Sequence, residues 1–536
     1  MTNHHLAPRP LPLSRRRLVG ASAAVAAGLA VGQSRRPAAA QAAGELIVGF
    51  PGVTFRTEPD RANIGMYPLN TNIFEGLVRL SPEYQVEPML AESWEFVAPN
   101  TWRLVLRRGV TFHDGTPFTA EAVVWSLGRV ARAGGGLIAV DEDSTVVVDD
   151  YTVEVTPIRP NRRFMEKLVH PNAGSIVAPG TDPESERVGT GPFREVEYLP
   201  EDRYVVEANP DYWGGAPKLS RITWRFLPDP TTRTLALQAG EVGMIAEVPR
   251  EAVAAVEAGG FQILRSGVGA YTALYVNLHG EEPYDLGQDP VVREAVAAAI
   301  DKDAIVAGVW QGNAEPGAAM IPPAILGEAA AEVTAVPFDP DRARSLLDEA
   351  GWTAAGAGVR EKGGRSLSLV LVNGFPSAAA HGAMPELIQA QLQAVGIAVE
   401  IVRAEDTAIY EARLQAGEGD LWVESGSQND ADPCFLPDLL FSSPSPDGDA
   451  EANMYGNAFA PGPAFDAVIE TCRTAPTTAE VQTAAAEAVR LLIDQDHVVI
   501  PIAGLSQIYG AAASVTGFVP HPSRLNQRWT DVSVAE

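Results

Sequence analysis

DPVVREAVAAAIDKDAIVAGVW, residues 289–310, sets alanine and valine at helical spacing behind an Asp-Pro pair, and two short apolar runs follow it, SLSLVLVN (366–373) and GIAVEIVRA (396–404). Alanine is the strongest helix former, and short β-branched runs favour strands. This part of the chain therefore predicts helices alternating with strands, an α/β organisation, in a large lobe between about 275 and 495.

Working back toward the start, the pattern changes. ELIVGF (45–50) alternates like a first strand, and a loop rich in Pro, Gly, Thr and Asn leads to NTNIFEGLVRL (70–80). SWEFV (93–97) and TWRLVLR (101–107) predict a hairpin around Pro99–Asn100, and TVVVDDYTVEVTPI (145–158) predicts another around Asp149–Asp150. Between them, Pro117 and Thr119 introduce a helix over 120–130. Two strands are expected within 189–209, then a strand at 222–229, a helix at 232–242 and a strand at 272–278. The tail HVVIPIAGLSQIYGAAASVTGF (497–518) reads as strand, loop and strand, a return to the first lobe.

At 536 residues the chain is long enough for two or three domains, and its charged fraction of 20% and hydrophobic fraction of 46% are those of a globular protein. The formal charge is −28. Residues 1–42 hold six arginines and no acid, so the remainder carries −34. Such a surface repels phosphate backbones, which argues against nucleic-acid partners.

SRRRLVGASAAVAAGLAVG (14–32) places a basic cluster before a weakly apolar stretch, and AAAQAAG (38–44) supplies small residues for cleavage at Ala40-Gln41-Ala42. Arg15 and Arg16 resemble the twin-arginine export pattern, so a periplasmic or extracytoplasmic location is expected. The apolar stretch is shorter than the about 20 residues that a spanning helix needs, and no cysteine beside the cleavage site suggests a lipid anchor. The two cysteines, Cys434 and Cys472, pair or stay as buried thiols; the spacing leaves both open.

Motifs for catalysis are scarce. No GxGxxG follows a strand, and neither GxxxxGK[ST] nor HExxH occurs. GTG at 189–191 runs into Pro192 and reads as a tight turn. Of the six histidines beyond residue 42, none shares a short metal-ligand spacing with another histidine or with cysteine. His113-Asp114-Gly115 reads first as a structural turn and second as a catalytic pair, and the serines of SSPSPDG (442–448) lie outside any GxSxG elbow. An exported hydrolase acting on peptides or esters is an alternative supported by compartment alone.

Six phrases, VEPMLAESWEF (86–96), TWRLVLRRGVTFHDGTPFTAEAVVWSL (101–127), GTGPF (189–193), YVVEANPDYWGGAPKLSRI (204–222), VVREAVAAAIDKDAIV (291–306) and FDPDRARSLLDEAGW (338–352), resemble the solute-binding proteins of ATP-driven importers of peptides and nickel. This is the oligopeptide and dipeptide-binding class, solute-binding protein family 5. The resemblance implies a bilobed periplasmic-binding-protein fold of the large class, with an extra subdomain in the first lobe. It divides the chain into a twin-arginine-type signal peptide at 1–42, lobe I at 43–88 and 188–272 with an insertion at 89–187, lobe II at 273–498 and a return to lobe I at 499–536. It also implies a monomer without catalysis, cofactor or metal site of its own. Such a monomer would enclose a solute between its lobes and dock on the membrane permease subunits of an ABC importer. Peptides or other amine-bearing solutes rank first, a nickel chelate or other metal-chelator complex second, sugars third.

In peptide-binding members of this class, an acid in the loop after a DLxxxxW-like strand meets the ligand ammonium. Here the strand begins Asp420-Leu421-Trp422 and the loop is GSQNDADP, 426–433. Asp430 resembles the ammonium partner, Asn429 lies beside it, and Asp432-Pro433 matches the terminal acid and proline. A plain Asx-turn at Asn429–Asp430 or at Asp432 is the alternative. Trp422 lies over the ligand or closes the core, while Arg56, Tyr67, Asn70 and Tyr271 are further candidates for ligand contact.

Overall fold

The acids that precede the helices act as caps. In this computed structural model, Asp289 accepts from Val291 N at 3.0 Å and starts the helix Pro290–Ala299, and Asp301 accepts from Ala304 N at 2.9 Å and starts Lys302–Trp310. The alanine-rich run is thus two helices, divided where Ile300 takes an extended backbone. Asp229 likewise caps Pro230–Gln238, accepting from Thr232 N at 2.6 Å, and Thr477 with Glu480 forms a capping box ahead of Thr478–Arg490. The structure describes residues 44–52, 67–97, 99–133, 138–159, 161–183, 185–354, 358–373, 382–404, 406–444 and 458–535. The expected export signal and Arg56 lie outside them.

Among the described residues, eleven strands form one mixed sheet. From one edge the order is Ala398–Arg403, Ser368–Asn373, Leu421–Ser427, Gln262–Val276, Val499–Ala511, Met244–Ile245, Glu45–Phe50, Arg221–Phe226, Arg203–Ala208 and Phe193–Leu199, with Glu315–Pro316 added beside Val499–Ala511. Gln262–Val276 and Val499–Ala511 are long, pair antiparallel and join the two halves of the fold. The tail is strand, turn and strand as expected: Val499–Ala511 runs unbroken through Gly504 and Ser506 in its ladder along Gln262–Val276, and Val515–Thr516 follows the turn at 512–514. Three register shifts, between Arg265 and Val268, Val268 and Ala270, and Thr272 and Ala273, interrupt this ladder.

The two expected hairpins form a separate four-stranded sheet in the order Ala91–Val97, Thr101–Leu106, Thr152–Val155, Thr145–Asp149. The helix Ala120–Arg132 buries Val123, Leu127 and Val130 beside it. A core around Leu46, Val48, Trp224 and Trp529 fills one half of the large sheet, and one around Leu274, Val296, Leu371 and Leu421 fills the other. A third core is continuous from Leu104, Phe118 and Phe164 near the small sheet to Tyr271, Trp422 and Phe441. The fold is the bilobed α/β arrangement of periplasmic binding proteins.

Two of the phrases that carried the resemblance meet around one buried acid. Glu75 accepts from Thr190 Oγ1 at 2.8 Å, Tyr212 OH at 2.6 Å and Trp213 Nε1 at 2.7 Å. Burial still pushes its carboxyl up to about 7 against those donors. GTG is a close backbone crossing: a Cβ on Gly189 would sit 2.0 Å from Ile73 O, and one on Gly191 2.6 Å from Asn72 O. His113 belongs to the same junction, with Nε2 donating to Gly191 O at 2.9 Å and the ring held neutral chiefly by burial. Its role here is structural.

Gly189→Ala is expected to destabilise the fold by about 1–3 kcal/mol or more, since backbone must move. Gly128→Ala, on the Ala120–Arg132 helix where a Cβ meets only Arg132 Nη1 at 3.5 Å, is expected to stabilise it by up to about 1 kcal/mol. Urea unfolding of both variants checks the opposite signs.

Candidate functional site

The strand Leu421–Ser427 runs along Gln262–Val276 and ends in the loop that bears the two acids. The last link is Gln428 N donating to Gly269 O at 2.9 Å. Asp430 Oδ1 then accepts from Asp432 N at 3.1 Å, and Asp432 Oδ1 accepts from Cys434 N at 3.0 Å, two successive Asx-turns. Cys434 is bonded to Cys472, on the helix Pro463–Thr474, with a Cα–Cα distance of 6.2 Å. Of the two states open to the cysteines, the structure has the disulfide.

Segments far away in sequence close over this loop. Ala431 N donates to Glu166 O at 3.2 Å, Tyr84 OH to Gln428 O at 3.4 Å, and Ser523 Oγ to Asn429 Oδ1 at 3.0 Å. Beside them, Arg163 Nη2 reaches Ala475 O at 3.4 Å and Nη1 pairs with Glu166 Oε1 at 2.9 Å. Asp430 is 0% exposed and Asp432 4%.

Both carboxyls are held above the usual range. Burial is the largest cause for each, the charge of Asp432 adds to it for Asp430, and Lys167 opposes it for both. Glu166 is pushed up to about 7, again by burial first, with Arg163 opposing. Gln428 Nε2 donates to Asp430 Oδ1 at 2.8 Å and to Asp432 O at 3.0 Å, which leaves its amide oxygen facing away from those donors' targets. Among the described residues, Asp430 Oδ2 and Gln428 Oε1 are buried acceptors without a hydrogen-bond donor. Acceptors of this kind, here on residues two apart in one loop, are chemically suited to a cationic N–H group.

The other candidates are distributed differently. Trp422 is fully buried, edge-on to Tyr410 at 5.2 Å, with Nε1 donating to Gly419 O at 3.3 Å, so it closes the core. Asn70 is buried and accepts from Arg187, which pairs with Glu195 at 2.9 Å. Tyr67 opens the short helix Tyr67–Asn70. Tyr271 is buried on the crossing strand, its hydroxyl 2.5 Å from that of Tyr275 and its ring against Gly426, where a Cβ would come within 2.5 Å of it. The structure thus brings Asn429, Asp430 and Asp432 together in one loop, places Tyr271 on the adjoining strand against Gly426, and puts Trp422 and Asn70 in packing networks.

Gln428, Glu166, Lys167, Arg163, Tyr84 and Ser523 join the site without having been singled out in the sequence. Gln428 stands inside the quoted loop, but the others reach it only through tertiary folding. Among the described residues, no group of three or more His, Cys, Asp or Glu is arranged to hold a metal ion, and no helix is long and apolar enough to cross a membrane.

A bilobed α/β fold of this kind is the architecture of an extracellular solute-binding protein. Residues 85–447 match the bacterial extracellular solute-binding proteins, family 5 middle region, and the chain belongs to that family. It is 32% identical over 294 residues to the glutathione-binding protein GsiB of Pectobacterium atrosepticum, covering 52% of this chain and 56% of that protein. The chain thus spans little more than half the length of that curated relative. Among solved structures it is similar to NikA from Brucella suis in complex with Fe(III)-EDTA, with a TM-score of 0.80 and 24% identity over 91% of this chain and 99% of that one. It is also similar to the oligopeptide-binding protein AppA of Bacillus subtilis in complex with a nonapeptide, with a TM-score of 0.71 and 20% identity over 92% of this chain and 100% of that one.

The disulfide closes a span of 38 residues and anchors the acid loop. Replacing both cysteines by serine is expected to lower stability by about 3–4 kcal/mol, which denaturant unfolding measures. Reduction of the wild type should reproduce the loss.

Proposed function

We propose that this chain binds a small solute bearing a protonated amine, a dipeptide or oligopeptide first among them, between its two lobes and hands it unaltered to the permease subunits of an ABC importer. The observation that carries this reading is the pair of buried acceptors, Asp430 Oδ2 and Gln428 Oε1, at the junction where distant segments meet. A carboxylate in such surroundings keeps most of its attraction for an ammonium, whereas an exposed pair is worth only about 0–1 kcal/mol. An anionic metal chelate would have to enter beside Asp430, Asp432 and Glu166, with Lys167 and Arg163 as counter-charges, and ranks below the amine.

The lobe boundaries of this reading are 43–88, 188–272 and 499–536 for lobe I, with the insertion at 89–187, and 273–498 for lobe II. Support comes from the strands Gln262–Val276 and Val499–Ala511, which lie at both changes of lobe. Flexing there, at the interrupted ladder, would let the lobes part, and ligand energy would draw them together. Membership of an extracellular family supports a location outside the cytoplasm. Twin-arginine export rests on Arg15 and Arg16. Changing both to lysine is expected to leave precursor inside the cell, and efficient export of that variant would remove the assignment.

Asp430→Asn is expected to weaken an amine-bearing peptide by roughly 2–5 kcal/mol in titration calorimetry while leaving the fold intact. The sign of the pH effect follows from the raised carboxyl. In the free protein Asp430 retains its proton to higher pH than an ordinary carboxyl, and an ammonium favours the ionised form. Binding should therefore release a proton, and affinity should rise with pH until free Asp430 is ionised, then fall as the ligand amine loses its charge above about 8. In Asp430→Asn the rising limb should flatten. Equal affinities for the two proteins would exclude Asp430 as the amine partner.

A further inference from the structure

One edge of the small four-stranded sheet is bare. Thr145–Asp149 is the outermost strand and, among the described residues, pairs with Thr152–Val155 alone. At its centre Val146, Val147 and Val148 are 57%, 44% and 52% exposed. The register sets Val146 beside Glu154 and Arg103, on the face where Val105 is also exposed, and Val147 beside the buried Val153 and Leu104. The opposite edge of the sheet is guarded by charge: Ala91–Val97 exposes Glu92 and Glu95, and Arg162 lies over its Phe96 at 4.5 Å. From Thr145 to Val148 the bare edge carries no charged side chain.

An uncharged run of β-branched residues at an open edge offers another chain both a hydrogen-bond ladder and apolar contacts. The surrounding charges define what that chain must carry. Exposed acids flank the valines at both ends, Asp141, Glu142 and Asp143 before them and Asp149 and Asp150 after. Against them stand Arg132, 3.7 Å from Glu142, and Arg108, over the Tyr151 ring at 4.2 Å, so each end stays acidic. A second copy paired antiparallel about Val147 would set the acids of one chain against those of the other, and an anionic lipid surface would meet the same repulsion. We propose that this edge docks a partner polypeptide by strand addition, the partner presenting an extended aliphatic segment with basic residues at both of its ends. The edge shares no residue with the acid loop, so the proposal goes beyond the solute-binding reading and stands without it.

The test is calorimetric titration of the purified protein with acetyl-Arg-Arg-Val-Thr-Val-Arg-Arg-amide, which has no ammonium to offer Asp430. Saturable binding is expected, unchanged in Asp430→Asn and weakened about tenfold or more in Val146→Lys/Val148→Lys, where two exposed positions gain the charges that guard natural edges. Thermal unfolding at the wild-type temperature shows that the double variant is folded. Two further peptides need no variant: one with proline for the central threonine, which interrupts the ladder, and one with glutamate for every arginine, which reverses the charge. Each should bind wild type about tenfold or more weakly than the first peptide. Absence of saturable binding, equal binding to the lysine variant, or equal binding of the proline or glutamate peptide overturns the proposal. Self-association of the wild type, or its sedimentation with phosphatidylcholine vesicles, if abolished in the lysine variant, also overturns it and makes the edge a dimer or membrane contact.

Discussion

The constraint on which the site depends is the burial of two carboxyls, two residues apart, in a loop that satisfies only part of their hydrogen-bonding capacity. Asp430 and Asp432 each give one oxygen to a backbone N–H two residues further on. These turns shape the loop, but leave Asp430 Oδ2 and the Gln428 amide oxygen without donors. A buried acceptor without a donor costs free energy, so the loop needs support from elsewhere. That support is the disulfide to Cys472, the ladder to Gln262–Val276 and the distant residues that close over it.

The same pair makes the site electrostatically one-sided. Asp430, Asp432 and Glu166 all hold protons more firmly than ordinary carboxyls, and burial is the leading cause in each. Charging Asp430 in these surroundings is unfavourable, and in the proposed function a cation arriving between the lobes would relieve that. In the proposed function, closure, ionisation of Asp430 and capture of an amine form one coupled equilibrium. The proposed preference for cationic groups works in the same direction as the net charge of −28, which draws cations toward the surface.

Much of the scaffold was legible because its signals are local. The hairpins around Pro99–Asn100 and Asp149–Asp150, the capped helices and the first strand follow from turn residues, caps and periodicity. The extent of Val499–Ala511 was not legible, because glycine and serine there are held by a partner strand that local sequence does not contain. At the site, Asp430 and Asp432 stood out by type and position within one loop. Their surroundings did not: Glu166, Tyr84 and Ser523 approach across more than 90 residues of chain, Ser523 at a separation of 94 and Tyr84 at 344 from their partners. Trp422 shows the converse, since a tryptophan beside a binding loop has the same sequence signature whether it faces solute or core.

The most direct measurement of the central claim is mass spectrometry of the solute released by denaturing the protein purified from cells. The account expects a small molecule with a protonatable amine, recovered with the same mass after prolonged incubation with the native protein. A bound molecule without an amine, or one that the protein converts into product, would contradict it.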